Sequence, residues 1–447
     1  MAASLAPLTE ALLDAARRAG AEAADAIAIA GTSQSIDIRA GRLEQAERSE
    51  GTEIGLRVLM GGRQACVSAS DTSPATLTRL AERAVAMARE APVDPFAGLA
   101  DPDQIARSWD LAALQLCDTS PEPTAAALEA DARMAEAAAM AEPGITQVEA
   151  SAGYGLRQVY LSATNGFSGG YERSSRSTSA VAFTGSGTGM ERDYAGEGRI
   201  HQADMPAATE IGALAAQRAL ARTGARKPVT GTYPVLYDER VASSLIGHLI
   251  GAANGASIAR GSSWLLGALG TQVLPTALSL IEDPLRPRIS GSRPFDAEGL
   301  GAARRMVVEN GILMGWTLDL ATARKLGMQS TGNAARGTSA PPTPANSNLD
   351  LTQGSVSRAD LIRDMGTGLL VTSMIGSTIN PTTGDYSRGA SGFWVENGEI
   401  LYPVNECTIA GNLRDMLLRI IPANDARAHL STRVPSLLIE GMTLAGA

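Results

Sequence analysis

The stretch VASSLIGHLIGAANGAS, residues 241–257, predicts a helix that carries one histidine, His248. Its apolar side chains recur at helical spacing, and three glycines interrupt the pattern. A histidine in this position is either a metal ligand or a packed core residue. Hydrolysis at zinc needs about three protein ligands, an open coordination position and a carboxylate base. The chemistry of His248 therefore depends on which other groups can reach it.

Few groups in the chain could join His248 at a metal. The remaining histidines are His201 and His429, and none of the three has a second histidine within helical reach, so an HExxH motif is absent. The three cysteines lie far apart without a CxxC pair (Cys66, Cys117 and Cys407). This pattern predicts neither a structural zinc site nor a disulfide framework, and it suits a reducing cytosol. We interpret His248 as a core or helix-cap histidine.

Other motifs offer little for catalysis. The loop TGSGTGM (184–190) resembles a dinucleotide fingerprint, but no helix or βαβ unit is predicted around it, so we interpret it as a turn. Ser391 lies between glycines without the G-x-S-x-G spacing. No serine precedes either lysine by three residues, which excludes S-x-x-K. A Ser-His-Asp triad stays open, because its members need not be close in sequence.

Two pairs of carboxylates stand close together in the sequence, Asp296 with Glu298 and Glu396 with Glu399. Both pairs fall in segments predicted to be loops or turns. Charged side chains in such segments are usually solvated. We therefore predict that both pairs lie at the surface.

The elements that would position these residues form three blocks. The predictions are an N-terminal α+β domain (1–112), a central α+β domain (113–226) and a β-rich C-terminal domain (227–447). Gly61-Gly62 and the Asn-Gly pairs at 310–311 and 397–398 predict hairpin turns between apolar runs. The segment 331–355 is rich in Pro, Ser and Asn and predicts an exposed loop. The fold class is α+β, multi-domain, with mixed or antiparallel sheets and flanking helices.

The overall composition limits the possible partners. The 447 residues carry a formal charge of −9, and only two are lysines, Lys227 and Lys325. This balance argues against nucleic acid or an anionic membrane as the main partner. Residues 6–20 predict an amphipathic helix rather than a signal peptide, and no apolar run is long enough to span a membrane. We expect a cytoplasmic protein.

Several motifs in the third block, taken in order, resemble the C-terminal domain of the TldD/PmbA metallopeptidase family, closest to its PmbA branch, also called TldE. They are PFDAEG (294–299), ARKLG (323–327), STGNA (330–334), MGTGLLV (365–371), TGDYSRGASGFWVENGEILYP (383–403) and TIAGNL (408–413). The resemblance implies a TldD/PmbA-like fold for the whole chain.

The resemblance also implies where zinc would bind in the catalytic TldD branch, namely at an HExxxH helix and a cysteine near the C-terminus. Here Gly247-His248 matches the end of that motif, while Ser243 and Ser244 stand at its first histidine and its glutamate. The C-terminal tail has no cysteine, and Cys407 lies upstream of the expected ligand. The two histidines of an HExxxH motif lie five residues apart, and residues at that spacing on a helix differ by about 140° in direction. The helix must therefore be distorted locally for both histidines to reach one metal. The implied site in this chain is degenerate, with no catalytic, metal or cofactor residues.

The resemblance finally implies a partner. A PmbA-type chain would pair with an HExxxH-bearing, TldD-like paralogue that carries the zinc, and the pair would cleave unfolded or leader peptides. Without that paralogue we expect a homodimer. Two alternatives stay open: a stand-alone hydrolase with an unidentified Ser or Thr nucleophile in the third block, and a non-enzymatic peptide-binding scaffold.

Overall fold

A computed structural model describes residues 5–446, apart from the side chain of Ser377. The N-terminal half is built on a six-stranded sheet in the order β3-β2-β1-β4-β5-β6, with every neighbouring pair antiparallel. The strands are β1 (Ala23–Arg39), β2 (Arg42–Met60), β3 (Arg63–Ala69), β4 (Ile145–Ala163), β5 (Ser168–Thr184) and β6 (Glu191–Arg199). Because β1 pairs with β4, the first two predicted blocks share one sheet.

Helices cover one face of this sheet. They are α1 (Ala6–Arg18), α2 (Pro74–Glu90), α4 (Ala125–Met140) and α5 (Ala208–Ala221), while the short α3 (Leu111–Leu114) lies in the connection between α2 and α4. α1 and α2 pack on β1–β3, while α4 and α5 pack on β4–β6. The contacts are rich in alanine, which lets backbones approach closely: a Cβ on Gly212 of α5 would lie 2.0 Å from the carbonyl oxygen of Ala135. We call the opposite side of the sheet the inner face.

The third block follows with many short elements. They are β7 (Gly231–Tyr237), α6 (Glu239–Ala252), α7 (Gly255–Ala259), β8 (Leu280–Glu282), β9 (Arg305–Glu309), β10 (Ile312–Leu313), α8 (Leu320–Leu326), β11 (Ala334–Ala335), β12 (Thr343–Pro344), β13 (Leu349–Leu351), α9 (Arg358–Met365), β14 (Gly368–Ile379), β15 (Asp385–Glu396), β16 (Glu399–Asn412), α10 (Leu413–Leu417), β17 (Ile421–Pro422), β18 (Thr432–Arg433) and β19 (Leu437–Ala445).

The largest sheet of this block closes on itself. Its order is β16-β15-β14-β7-β19-β17, and β16 also pairs with β19. Only the β7–β14 pairing within it is parallel. Two smaller sheets, β10-β9-β8-β13-β18 and β11-β12, complete the block. The main apolar core joins α6 to the closed sheet, and the predicted α+β class with mixed and antiparallel sheets is confirmed.

The predicted hairpin turns are confirmed. Gly61 and Gly62 both have positive φ, +54° and +72°, between β2 and β3. Asn310-Gly311 and Asn397-Gly398 also have positive φ at both residues. Two consecutive positive φ values give a turn whose twist matches that of the strands, and Gly and Asn tolerate this conformation best. Among the helices within residues 5–446, none has the length and apolar content needed to cross a membrane.

The prediction that 331–355 is an exposed loop is correct for the tip at 339–341, which is irregular and exposed, and wrong for much of the rest. The segment contains β11, β12 and β13, and Ala334, Asn348 and Leu351 are fully buried. Its asparagines bind a carboxylate in the interior: Asn333 and Asn346 donate through Nδ2 to the two oxygens of Glu282, at 2.7 and 3.0 Å. A polar composition is compatible with burial when such partners exist. The segment packs on the inner face so closely that a Cβ on Gly55 would lie 2.1 Å from the Thr338 carbonyl oxygen.

A degenerate metal motif and an open strand face

α6 holds His248 at the edge of the core. The helix begins at Asp238, whose side chain accepts a hydrogen bond from the Arg240 backbone N–H at 3.2 Å. Its apolar stripe is fully buried, through Ala242, Leu245, Ile246 and Leu249. His248 lies beside this stripe, half-buried. The predicted helix is confirmed up to Ala252, but the expected single helix over 241–257 is wrong at its end, because the chain breaks at Ala253 and Asn254 and α7 begins at Gly255.

The surroundings of His248 are apolar and aromatic. Its ring lies edge-on to Tyr386, with centroids 6.0 Å apart. Its Nε2 is buried and has no hydrogen-bond partner within residues 5–446. Burial, with a contribution from the nearby Arg388 guanidinium, lowers the pKa of His248 below its usual 6.5. The imidazole is therefore neutral at pH 7, packed as a core side chain against Tyr386.

Ser244, at the position where the resemblance puts a glutamate, is held by its own helix. Ser244 Oγ donates to the Val241 carbonyl at 2.7 Å, one turn back along the same helix. A hydroxyl held in this way supplies neither a metal ligand nor a carboxylate base. In the part of the chain that the structure describes, no three His, Cys, Asp or Glu side chains converge as a metal site. The residues present do not fit a catalytic zinc ion.

Cys407 is also unsuited to bind a metal. It lies on β16 in the main core, and its Sγ donates to the Ala390 carbonyl at 3.1 Å. Burial raises the pKa of the thiol to about 11. Because the thiolate is the form that binds metals, a buried neutral thiol is a structural residue.

The other two histidines lie in different surroundings. His201 Nε2 donates to the Gln115 carbonyl at 3.0 Å, and its Nδ1 is 3.8 Å from Asp118. His429 lies 3.1 Å from a carboxylate oxygen of Glu197. The three histidines therefore do not form one site.

The remaining motifs are structural as well. Ser391 is buried on β15, where its Oγ accepts a hydrogen bond from Arg222 Nη2 at 3.0 Å. The loop 184–190 contains a short 3-10 turn and connects two antiparallel strands, β5 and β6. Our interpretation of this loop as a turn is confirmed, since no nucleotide-binding helix follows it.

The prediction of surface carboxylates is confirmed for Glu396 and Glu399 and wrong for Asp296 and Glu298. Glu396 and Glu399 are exposed, whereas Asp296 and Glu298 are buried. Asp296 accepts backbone N–H groups from Glu298, Leu300 and Ala334 at 2.9–3.0 Å. Glu298 accepts the Leu320 backbone N–H at the start of α8 at 2.9 Å. Burial, followed by the repulsion of Asp296, raises the pKa of Glu298 to about 8, so this carboxyl is protonated at pH 7.

A groove of about 750 Å³ opens on the inner face of the N-terminal sheet. A continuous part of its floor is made of small residues that strand register brings side by side across β2, β1, β4 and β5. They are Ser49, Gly51, Gly31, Ser33, Gly155 and Ser175. Residue types taken one at a time do not predict this groove. Its only sequence signal is the period-2 recurrence of Gly and Ser in those strands.

The groove borders a free strand edge. β3 pairs with β2 only over Ile54–Met60, so the residues of β2 before Ile54 pair on one side alone within the described chain. This part of β2 is exposed, and it carries several charged side chains. A free edge can pair with another extended chain through its backbone.

Comparison with known proteins places the whole chain in one group. Residues 24–88, 118–223 and 230–446 match, respectively, domain 1, the central domain and the C-terminal domain of the PmbA/TldA metallopeptidases. The chain is 37% identical to Metalloprotease PmbA of Escherichia coli O157:H7, over 93% of this chain and 90% of that protein. It is 35% identical to a Metalloprotease PmbA homolog of Haemophilus influenzae, over 96% of this chain and 94% of the homolog.

A solved structure agrees in fold. TldE from Thermococcus kodakarensis superposes with a TM-score of 0.84 at 18% identity, and the match covers 98% of this chain and 100% of TldE. At that identity the likeness concerns the fold alone. The three matching domains and the two relatives lead to one conclusion: the chain belongs to the PmbA/TldD metallopeptidase family.

Proposed function

We propose that this chain is the non-catalytic, peptide-binding subunit of a two-chain, cytoplasmic zinc peptidase. The observation that carries the proposal is the pair Ser243 and Ser244 on α6, at the positions where the family resemblance puts a histidine and a glutamate. The described residues offer no alternative metal cluster. The zinc and the water-activating carboxylate would then belong to a TldD-like, HExxxH-bearing partner.

Two features of the inner face support a role in holding an extended peptide. Glycines and serines form a continuous part of the groove floor, beside larger side chains such as Ile29 and Arg157, so a chain of varied sequence could lie along that part. The unpaired edge of β2 beside it offers backbone N–H and C=O groups, which give affinity with little selectivity for side chains. Both properties suit unfolded or leader peptides as ligands.

The third block supports pairing with a homologous chain. Ile400 and Leu401, on the hairpin within 383–403, are 49% and 58% exposed, while the neighbouring Trp394 and Val395 are core residues. Two chains that share one domain can use one self-complementary surface, as in a twofold dimer. We propose that this hairpin contributes to a pseudo-twofold heterodimer, and to a homodimer when the paralogue is absent.

The test compares the chain alone with the mixture. Purified alone, the chain should hold far less than one zinc per chain by elemental analysis and cleave no unfolded peptide. Mixed with an HExxxH paralogue from the same genome, it should form a heterodimer by light scattering, and peptide cleavage should appear. Such an obligate interface commonly buries more than about 2,000 Å².

Three results would contradict the proposal. Stoichiometric zinc that is lost in His248→Ala would restore a metal site to this chain. Cleavage by the chain alone would favour a stand-alone hydrolase. If the chain does not bind the paralogue at micromolar concentration but still binds peptide, the hypothesis of a non-enzymatic peptide-binding scaffold is favoured.

Variants of His248 separate packing from chemistry. We expect His248→Ala to lower the free energy of unfolding by about 1–3 kcal/mol, because it leaves a cavity beside Tyr386. His248→Phe keeps a ring against Tyr386 and removes the buried Nε2, so its stability should stay within about 1 kcal/mol of wild type. Urea unfolding measures both. If the His248→Phe chain assembles normally with the paralogue but the complex no longer cleaves peptide, His248 has a catalytic role.

A further inference from the structure

A second cavity lies next to the groove, between the inner face and the third block. Its volume is about 270 Å³. Four arginines line it: Arg157 on β4, Arg173 on β5, and Arg293 and Arg336 from the third block. The aromatic rings of Tyr171 and Phe295, whose centroids are 5.6 Å apart, form part of the wall. We call this the arginine cavity.

The positive charge of the arginine cavity is not balanced by its surroundings. The lining contains four arginines and one carboxylate, Asp296. That carboxylate accepts three backbone N–H groups and forms no ion pair within residues 5–446. The only described ion pair among the four arginines joins Arg336 to Asp25, which is shared with Arg57. An excess of positive charge at this point is notable in a chain whose formal charge is −9.

Several guanidinium N–H groups at the arginine cavity also have no acceptor. In the described part of the chain, Nε of Arg173, Nε of Arg293 and both Nε and Nη2 of Arg336 are buried without a hydrogen-bond partner. The Arg336 side chain is only 1% exposed. Unpaired buried donors are costly and are rare unless a ligand or water satisfies them. An anionic acceptor in the cavity would satisfy these groups.

Two of the four arginines, Arg173 and Arg293, are held in place by hydrogen bonds to backbone carbonyls. Arg173 donates to the Ser292 carbonyl through Nη2. Arg293 donates to the carbonyls of Ala334 and Ala345 at 3.2 and 2.9 Å. Burial, together with the nearby Arg157 and Arg293, lowers the pKa of Arg173 from its usual range. The folded chain thus holds these guanidinium groups close together despite their mutual repulsion, and the site is preformed.

The groove and the arginine cavity share Arg157 and Arg173 in their walls. An extended chain lying on the groove floor can therefore place an acidic group in the cavity. Planar guanidinium groups match a planar carboxylate through paired hydrogen bonds. We propose that the arginine cavity binds a carboxylate of the peptide held in the groove. This inference rests on the proposed peptide-binding function.

The test uses the full-length chain without a partner and three fluorescent peptides of equal length. One is a polyalanine peptide with a free C-terminal acid, the second is its C-terminal amide, and the third is the amide with one internal glutamate. We expect the free acid to bind at least about tenfold more tightly than the plain amide at low salt. Tight binding of the glutamate peptide also supports the site and identifies a side-chain carboxylate as its ligand.

Arg157 provides the variant, because it is exposed and makes no hydrogen bond or ion pair with the described residues. Arg157→Gln should weaken binding of the acid about threefold or more and leave the amide unchanged, whereas Arg157→Lys should retain most of the affinity. Arg192→Gln is the control, since Arg192 is exposed on β6 of the same sheet and does not line the cavity.

Equal affinities of the free-acid peptide and the amide peptide would overturn the inference. It would also be overturned if inorganic phosphate displaced the free-acid peptide and bound to the chain more tightly than that peptide does. Both results concern the chain alone and leave the partner-dependent cleavage of the proposed function intact. Conversely, peptide cleavage by this chain without a partner would overturn the proposed function. A preference of the chain for the free-acid peptide would not be affected by that result.

Discussion

We expect Asp25→Ala to lower the free energy of unfolding by about 3–5 kcal/mol, because it strands two buried guanidinium groups. Asp25 Oδ2 accepts from Arg57 Nε at 2.7 Å, and Oδ1 contacts Arg336 Nη1. The three side chains are at most 4% exposed. Removing one member of a buried ionic cluster leaves the others uncompensated, which costs far more than a surface pair does.

The effect should extend across the molecule. Asp25 on β1 lies opposite Arg57 on β2, while Arg336, whose side chain is buried, belongs to the segment 331–355 of the third block. The carboxylate therefore ties the N-terminal sheet to the third block. We expect Asp25→Ala to make the cleavage of 331–355 by an added protease faster as well.

Urea unfolding followed by circular dichroism measures the change in stability. Asp14→Ala is the matched control, because Asp14 forms a surface ion pair with Arg17 in which both side chains are 57% exposed. Such pairs contribute about 0–1 kcal/mol. A loss in Asp25→Ala no larger than in this control would show that the buried cluster is not a stabilising connection.

Glu298→Gln should remove a large pH dependence of stability. The pKa of Glu298 is about 8 in the folded chain, against about 4.5 for a free glutamate. Between these values the folded state holds a proton that the unfolded state releases. The stabilisation is therefore complete below pH 4.5, and it is lost as the pH rises toward and through 8. The loss over this range should be roughly 3–5 kcal/mol, since one pKa unit corresponds to about 1.4 kcal/mol.

Glutamine is uncharged at every pH and can accept the Leu320 N–H as Glu298 does. The difference in unfolding free energy between Glu298→Gln and wild type should thus move in favour of the variant as the pH rises from 5 to 8.5. Glu399→Gln, which removes an exposed carboxylate on a hairpin, measures the effect of the charge change alone. Parallel stability curves for Glu298→Gln and wild type would contradict a protonated Glu298.

The local structure of this protein follows from its sequence. Gly61-Gly62 and the two Asn-Gly pairs define their turns because positive φ values are available cheaply only to a few residue types. The apolar spacing that begins at Val241 predicts α6, although the helix ends at Ala252 and not at 257. These features depend on residues within a few positions of one another, so a single sequence is enough to predict them.

Which polar groups are buried depends on contacts between residues that are distant in the sequence. Nothing near Asp296 or Glu298 in the sequence shows that strands and loops enclose them. The partners of the buried part of 331–355, Glu282 and Asp25, are distant along the chain. The four arginines of the cavity come from β4, β5 and two loops of the third block. The pKa, the burial and the ligand-binding capacity of a charged group depend on what the fold brings next to it, because Coulomb interaction and desolvation act through space and not along the sequence.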